Sequence, residues 1–93
     1  MYDIVHSKKF TKSLKRLIKG GLKKSTQKSI QLAIDKIAAG ERLEPSYKDY
    51  QLHGEFAAYR ECHIQGDLLL MYKIINQELV LILIDVGSHN DLF

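Results

Sequence analysis

The strongest constraint on the fold of this chain is the extended, apolar sequence that begins at Phe56. From there the hydrophobic residues lose a helical period and form three strand-like segments, which read FAAYRECHI, LLLMYKI and LVLILIDV. Short polar breaks at Gln65-Gly66 and Asn76-Gln77 separate these segments. Because such breaks join neighbouring antiparallel strands, we expect a three-stranded antiparallel meander. The second and third segments are apolar almost throughout, which is typical of central strands covered on one face and partly covered on the other.

The residues before the meander predict a short strand and a hairpin of two amphipathic helices. Tyr2 to Val5 has the β-branched and aromatic residues of a strand, and Ser7 is suited to cap the helix that follows. The first helix is expected to end at Gly20-Gly21, and the second to begin at a cap on Ser25 or Thr26. The apolar stripes are Phe10, Leu14, Leu17 and Ile18 in the first helix, and Ile30, Ala33, Ile34 and Ile37 in the second.

The second helix is expected to end at Gly40, and residues 41 to 55 have no sustained period, so they predict a surface loop. The expected order is therefore β-α-α-β-β-β. This order describes an α+β fold in which a helical hairpin packs on one face of a twisted antiparallel sheet. A length of 93 residues suits one compact domain, so residues 1 to 93 are expected to form a single domain.

The composition argues against several classes of protein. No apolar run reaches the roughly 20 residues that a membrane span needs, and the first residues lack the apolar stretch of a signal peptide. We therefore expect a cytoplasmic protein without membrane contact. The single cysteine, Cys62, has no partner for an internal disulfide or a CxxC zinc site. No cofactor and no metal are expected.

The basic residues are concentrated near the N-terminus. Of the 14 lysines and arginines, nine lie in residues 1 to 28 beside a single acid, Asp3, whereas the remainder carries five bases and ten acids. Such a block attracts polyanions by counterion release, or an acidic protein partner by Coulomb attraction. A solvated helix face without any partner explains the charge equally well.

Two histidines are the candidates for chemistry. Strand alternation places His63 on the face opposite to Cys62, and Asp67 follows within a few residues' reach at the next hairpin. His89 comes just after the last strand, and the terminal Leu92-Phe93 is expected to fold back and hold it over the sheet. Each residue alone has an ordinary structural explanation, since Asp is common in hairpins and an isolated histidine is usually a surface residue. The expected convergence of all three indicates a site.

These residues supply the groups that metal-free cleavage of RNA requires. The reaction needs a base for the 2′-hydroxyl proton, an acid for the leaving 5′-oxygen and positive charge for the phosphorane. His63 and His89 suit the first two roles because the pKa of histidine lies near neutrality. Arg60 or Lys48 would supply the charge, although Arg60 is equally well explained as an ion-pair residue. Metal-dependent nuclease chemistry is disfavoured because the sequence has no close carboxylate pair and no HxH-like spacing.

Several short motifs follow one another in the second half of the chain. They are YKD at residues 47–49, YRECHI at 59–64, DLLLMY at 67–72, GSH at 87–89 and LF at 92–93. In this order and spacing they resemble the YafQ-like toxins, whose pattern reads approximately YKDH-x-L-x-G, YR-x-x-H-I-x-x-D-x-L-L-x-Y and G-x-H-x-x-L-F. The resemblance covers residues 47 to 93, while the basic helical hairpin agrees in layout only.

The resemblance implies a RelE-like, microbial ribonuclease-like fold with its active site on the concave face of the sheet. It also implies a type II toxin, an endoribonuclease that enters the ribosomal A site, cuts the messenger RNA there and is inhibited by a cognate RelB/DinJ-like antitoxin. His63, Asp67, His89 and Phe93 match catalytic or substrate-positioning positions of the family. The ring of Phe93 could stack on a base as well as anchor the chain end.

Three positions depart from the family pattern. Tyr50 stands where the family often has a functional histidine, and the nearby His53 is not assumed to replace it. A tyrosine still donates a hydrogen bond, so we retain Tyr50 as a substrate-binding residue. Leu68 follows Asp67 where some members carry tryptophan. Asp85 stands where arginine is common, so the local attraction for phosphate is expected to be weaker.

Two other functions remain open at the level of sequence. A catalytically weak relative could act as a binding protein, either pairing with an antitoxin or inhibiting gyrase as ParE-type toxins of this fold do. A small basic domain could instead bind nucleic acid nonspecifically through its N-terminal helix, with a steep salt dependence. The set of histidines favours the nuclease.

Overall fold

The computed structural model describes all residues from 1 to 93. Its helices are α1 (Lys8–Lys19), α2 (Lys24–Ala38) and α3 (His89–Leu92). Its strands are β1 (Asp3–His6), β2 (Tyr50–Gln51), β3 (Arg60–Gln65), β4 (Leu68–Ile75) and β5 (Val80–Ser88). None of the helices has the length and apolar character that crossing a membrane would need.

The strands form one sheet in the order β1-β5-β4-β3-β2. The meander of β3, β4 and β5 is antiparallel and β4 and β5 lie inside the sheet, as expected. The α+β fold class is confirmed, but the sheet is mixed because β1 pairs with β5 in parallel. The local pattern of β1 carries no information about this pairing, since its partner strand lies at the other end of the sequence.

The start of α1 is fixed by the predicted cap. The Oγ of Ser7 accepts a hydrogen bond of 3.0 Å from the backbone N–H of Phe10, and its hydroxyl donates one of 2.8 Å to the carbonyl of Ile84. One side chain therefore satisfies a free donor of the helix and also ties α1 to the middle of β5. The prediction for this cap is confirmed.

The predicted cap of α2 is wrong. The cap position is taken by Lys23, which makes no side-chain capping bond, and Ser25 and Thr26 lie inside the first turn. The hydroxyl of Thr26 instead donates a hydrogen bond of 2.8 Å to Oε1 of Gln65 at the end of β3. This tertiary contact competes with capping for the same hydroxyl, so a rule based on the local sequence misplaces the helix start.

The predicted loop of residues 41 to 55 contains an additional edge strand. Residues Tyr50–Gln51 form β2 and pair with β3, with Tyr50 opposite Glu61. The next strand begins at Arg60, because Gly54 with a φ of 67° starts a 3-10 turn that runs through Phe56. Residues 56 to 59, which were expected to open the first strand of the meander, therefore form the end of this turn and an irregular segment before β3.

The sheet separates two apolar clusters. The helix side contains the larger cluster, in which α1 and α2 pack on the sheet with Phe10, Ile30, Ile34, Ile37, Cys62, Leu70, Tyr72, Leu81 and Leu83 among its members. We call the opposite side the far face. Its smaller cluster consists of Leu52, Leu69, Met71 and Leu92, with Phe56, Tyr59 and Ile84 packed against it.

Candidate functional site

Alternation along β3 places its polar residues on the far face. Cys62 and Ile64 pack in the helix-side cluster, whereas Tyr59 packs in the far-face cluster, so the intervening positions of Glu61 and His63 also belong to the far face. The expected assignment of strand faces is therefore correct. His63 lies in one row with Leu69 of β4 and Gly87 of β5.

A short helix brings His89 to the same face. The Ser88 hydroxyl accepts a hydrogen bond of 3.2 Å from the Asp91 N–H, while the Asp91 carboxylate accepts one of 3.0 Å from the Ser88 N–H. This reciprocal capping box starts α3 at His89. Leu92 is 7% exposed and packs against the far-face cluster, so the chain end folds back as expected and holds His89 there.

The packing of α3 depends on the absence of a side chain at Gly87. A Cβ at that residue would lie 3.0 Å from Cβ of Asp91 and 3.1 Å from its Oδ2. These distances are shorter than ordinary van der Waals contact, so α3 can approach the sheet only over a glycine.

Aromatic rings line the far face beside His89. The ring centroids of His89 and Phe93 are 5.0 Å apart, and Phe93 meets Phe56 edge to face at 5.1 Å. Phe56 in turn lies 6.5 Å from the ring of Tyr59. Phe93 is 46% exposed, so its ring is anchored by Phe56 and still offers surface to a ligand.

A buried carboxylate that the sequence analysis did not select lies next to His63. Glu61 is only 2% exposed, and its Oε1 accepts a hydrogen bond of 2.6 Å from the Tyr50 hydroxyl. The same oxygen is 4.0 Å from Nε2 of His63, while Oε2 has no hydrogen-bond partner. The sequence signal was its position between Tyr59 and His63 on the far face. Its burial could not be inferred because the covering strand β2 was expected to be loop.

Tyr50 acts here as a hydrogen-bond donor. The hydrogen bond to Glu61, together with partial burial, raises the pKa of the Tyr50 hydroxyl above its usual value. The hydroxyl is therefore protonated at neutral pH and fixes the carboxylate that borders His63.

Asp67 lies at the rim of this region, on the β3–β4 hairpin. It is exposed and lines a cleft of about 600 Å³ between the start of α2 and the start of α3. Lys23 and Thr26 border the cleft on one side, and Ser88 and Asp91 border it on the other. The structure thus brings Asp67 next to the cap of α3, without a hydrogen bond between Asp67 and His63.

The two predicted phosphate-binding residues lie elsewhere. An Nη of Arg60 is 3.3 Å from Oδ2 of Asp49, and Oδ1 of Asp49 accepts a hydrogen bond from the hydroxyl of buried Tyr72. Arg60 therefore has the ion pair that its alternative explanation required. Lys48 is exposed and lines a cleft of about 430 Å³ together with Asp49 and Arg60. A role of Lys48 and Arg60 in substrate binding stays a prediction.

Asp85 is a buried carboxylate of β5 that has a lysine as its neighbour. It is 3% exposed, accepts a hydrogen bond of 2.8 Å from the Val86 N–H and lies 3.6 Å from Nζ of Lys9 on α1. The charge of Asp85 is therefore accompanied by that of a lysine of α1. The expected weakening of phosphate attraction at the candidate site stays a prediction.

Solved structures of bacterial toxins share this fold over their whole length. A metal-bound toxin from Helicobacter pylori is 43% identical in sequence, with 100% of both chains covered and a TM-score of 0.89. YafQ in the DinJ–YafQ complex of Escherichia coli is 28% identical, with 100% of this chain and 99% of that chain covered and a TM-score of 0.81. A toxin named YafQ from Haemophilus influenzae is 50% identical over 36 residues, which are 39% of this chain. The chain covers 35% of the length of that curated relative.

A family model places the chain in a defined class. The model for the bacterial toxin YafQ of type II toxin-antitoxin systems matches residues 2–93. The class is therefore that of the toxin component of such a system, and within it the chain belongs to the YafQ family. The resemblance inferred from the motifs of the second half is confirmed, and the match extends over the basic helical hairpin as well.

The metal-bound relative raises the question of a metal site in this chain. No group of three or more His, Cys, Asp or Glu side chains in the structure is arranged to hold a metal ion. The thiol of Cys62 is buried, and burial raises its pKa to about 12, so it is not available as a thiolate ligand. The residues present on the far face do not fit a metal, and independence of metal stays a prediction.

Proposed function

We propose that this toxin cuts messenger RNA on the ribosome by general acid-base catalysis at the far face. The observation that carries the proposal is that two histidines from separate elements, His63 of β3 and His89 of α3, lie on one sheet face beside the exposed ring of Phe93. The gyrase-directed alternative has no feature of this face in its favour.

The proposed reaction transfers the phosphodiester to the neighbouring 2′-oxygen. A bond forms between the 2′-oxygen and phosphorus, and the bond between phosphorus and the 5′-oxygen breaks, which leaves a 2′,3′-cyclic phosphate and a 5′-hydroxyl. One neutral imidazole accepts the 2′-hydroxyl proton, and one protonated imidazole donates a proton to the 5′-oxygen. His63 and His89 are the two imidazoles in this proposal. His63 and Gly87 lie in the same row of the sheet with one strand between them, so their backbones are roughly 10 Å apart. Because α3 begins just after Gly87, we infer that this spacing leaves room for a phosphodiester between the side chains of His63 and His89.

The neighbouring groups have supporting roles in the proposal. Glu61, fixed by Tyr50, is a positioning residue for the His63 ring, and Phe93 stacks on a base. Asp67 at the rim accepts hydrogen bonds from ribose hydroxyls or base amino groups. The positive charges of Lys48 and Arg60, at the adjacent edge of the sheet, attract the phosphates of the RNA backbone.

The partners follow from the same proposal. The E. coli relative was solved in complex with DinJ, so we propose a DinJ- or RelB-like antitoxin for this chain. Messenger RNA in the ribosomal A site is the proposed substrate, and the cytoplasm is the proposed location. No cofactor takes part in the proposed reaction.

The test is cleavage of a short messenger RNA on programmed ribosomes, mapped by primer extension. The wild type should give site-specific cuts, and His89→Gln and His63→Ala should each lose them while their unfolding curves stay close to that of the wild type. His53→Gln is the matched control, because His53 is exposed and forms no ion pair or side-chain hydrogen bond. Free RNA is tested separately in the presence of EDTA, because ribosomes need magnesium.

Two results would overturn the proposal. If neither the wild type nor the variants cut, the chain acts as a binding protein, and gyrase and antitoxin assays become the relevant measurements. If His89→Gln cuts as well as the wild type, the chemistry is not performed by this pair of histidines.

A further inference from the structure

The outer surface of α1 carries a line of lysines that the proposed cleavage does not use. Lys8, Lys12, Lys15 and Lys19 follow one another at spacings of four, three and four residues. At about 100° per residue these positions fall within an arc of roughly 60° on the helix. We call these four residues the lysine stripe. All four are exposed, and none forms an ion pair.

The stripe lies opposite to the buried side of α1. Phe10 and Ser13 are buried, and Leu14 and Leu17 pack against the helix-side cluster, so the lysines point away from the sheet. The sequence from residue 4 to residue 34 contains no acidic residue. The positive charge of the stripe is therefore not balanced by carboxylates on its own helix or on the first part of α2.

A depression of about 610 Å³ lies beside the N-terminal part of the stripe. The residues that line it are His6, Lys8, Lys9, Thr11, Lys12 and Lys15, and none of them is apolar. Protein-protein interfaces usually need apolar or aromatic anchors, and lysine is depleted at their cores. A surface of lysines without such an anchor suits the phosphates of a nucleic acid better than it suits a protein.

The position of α1 separates this surface from the candidate active site. The helix packs on the side of the sheet opposite to His63 and His89, and the helix alone is about 10 Å thick. The sheet and α1 therefore separate an RNA segment bound at the histidines from one bound at the stripe.

We propose that the lysine stripe binds the phosphate backbone of a folded RNA while a different, single-stranded segment occupies the far face. The stripe spans about 16 Å along the helix, which lets it contact several successive phosphates of one backbone. The protein then bridges two RNA segments, and an RNA assembly such as the ribosome presents such segments together. This inference rests on the proposed function for the identity of that assembly.

The test measures binding to 70S ribosomes without cleavage, as a function of salt concentration. The variants are Lys8→Gln/Lys12→Gln and Lys15→Gln/Lys19→Gln. The matched control is Lys24→Gln/Lys28→Gln, which removes exposed, unpaired lysines from the first and fifth positions of α2, the positions that Lys8 and Lys12 occupy in α1. Because the side chains are exposed, all variants should keep the thermal unfolding of the wild type.

Each stripe variant should bind ribosomes about tenfold or more weakly at roughly 50 mM salt. The slope of log K against log salt should fall in magnitude by roughly 1.4 to 1.8, which is about 0.7 to 0.9 for each phosphate that the variant no longer neutralises. The α2 control should keep the wild-type slope. Cleavage at a saturating concentration of ribosomes should be unchanged in every lysine variant that retains the fold.

Two outcomes would overturn the proposal for the lysine stripe. They are an unchanged slope in the stripe variants and an equal loss of binding in the α2 control. Ribosome binding that depends on the stripe, in a protein that never cuts the messenger RNA, would instead support the stripe and reject the proposed function.

Discussion

Glu61 is the residue whose burial and contacts could least be predicted from the sequence. It is almost fully buried, and the only hydrogen bond that compensates its burial comes from the Tyr50 hydroxyl. A buried charge that loses its partner is costly, since the full desolvation penalty then remains. Tyr50 is therefore the donor that compensates the burial of Glu61, and its role in substrate binding stays a prediction.

Tyr50→Phe should lower the free energy of unfolding at pH 7 by about 1 to 3 kcal/mol, because it leaves both oxygens of a buried carboxylate without a hydrogen-bond partner. Urea unfolding followed by circular dichroism measures this change. Tyr59→Phe on the same face is the control and should change stability by less than about 0.5 kcal/mol, since no hydrogen bond of its hydroxyl is present to be removed. Equal stability of the two variants would show that Glu61 does not depend on Tyr50.

At the scale of elements, α3 is the part of the site that depends on a single position. The helix is four residues long and is held by its capping box, by Leu92 and by its close approach to Gly87. Such a short helix has little stability of its own, so its placement depends on these contacts.

Gly87→Ala should move α3 and with it His89 and Phe93. The added methyl group would lie 3.0 Å from the Asp91 side chain, and a displacement of about 1 Å at a catalytic group can reduce the rate roughly 100-fold. We expect a loss of between about 10-fold and 100-fold in cleavage on programmed ribosomes. Gly20→Ala is the matched control, because its Cβ would meet its nearest neighbour at 3.4 Å, at the end of α1. A Gly87→Ala protein with full activity would contradict the role of α3 in positioning His89.

The capping box also predicts a response to acid. The Ser88 backbone N–H, followed by the Ser88 side chain, holds the pKa of the Asp91 carboxyl below its usual value of 3.8. The stabilisation of α3 by Asp91 is therefore present above the pKa of the unfolded chain and disappears as the pH falls through the lower pKa of the folded protein. The amide resonance of Ser88 should titrate with a midpoint below pH 3.8 and should lack this step in Asp91→Asn. A midpoint above that pH would show that the box is not formed in solution.

For the molecule as a whole, the parts that the sequence predicted are those fixed by local pattern. The two helices, the meander, the cap on Ser7 and the face of His63 follow from periodicity and from side-chain chemistry at one position. The parts that it missed depend on contacts between distant segments. The parallel pairing of β1, the edge strand at Tyr50 and the burial of Glu61 are examples.

The same distinction applies to the candidate site. His63, His89 and Phe93 could be selected because strand alternation and two apolar terminal residues indicate where they point. Arg60 could not be judged from the sequence, since its ion pair with Asp49 forms only after residues 41 to 55 have folded over the sheet edge. The contact of Asp85 with Lys9 could not be inferred either, because it joins segments that are far apart in the sequence.

The two-sided arrangement of the molecule predicts that binding at α1 and chemistry at the far face are independent. His89→Gln should abolish cleavage and leave ribosome binding close to that of the wild type, whereas Lys8→Gln/Lys12→Gln should weaken binding. Because the sheet lies between the two sets of residues, the weakening of binding in the combined variant should equal the sum of the separate effects within about 0.5 kcal/mol. Ribosome binding of the four proteins at one salt concentration gives this comparison. A larger coupling would mean that the RNA on the far face and the RNA on α1 are held by one continuous surface, and the two-segment arrangement would be wrong.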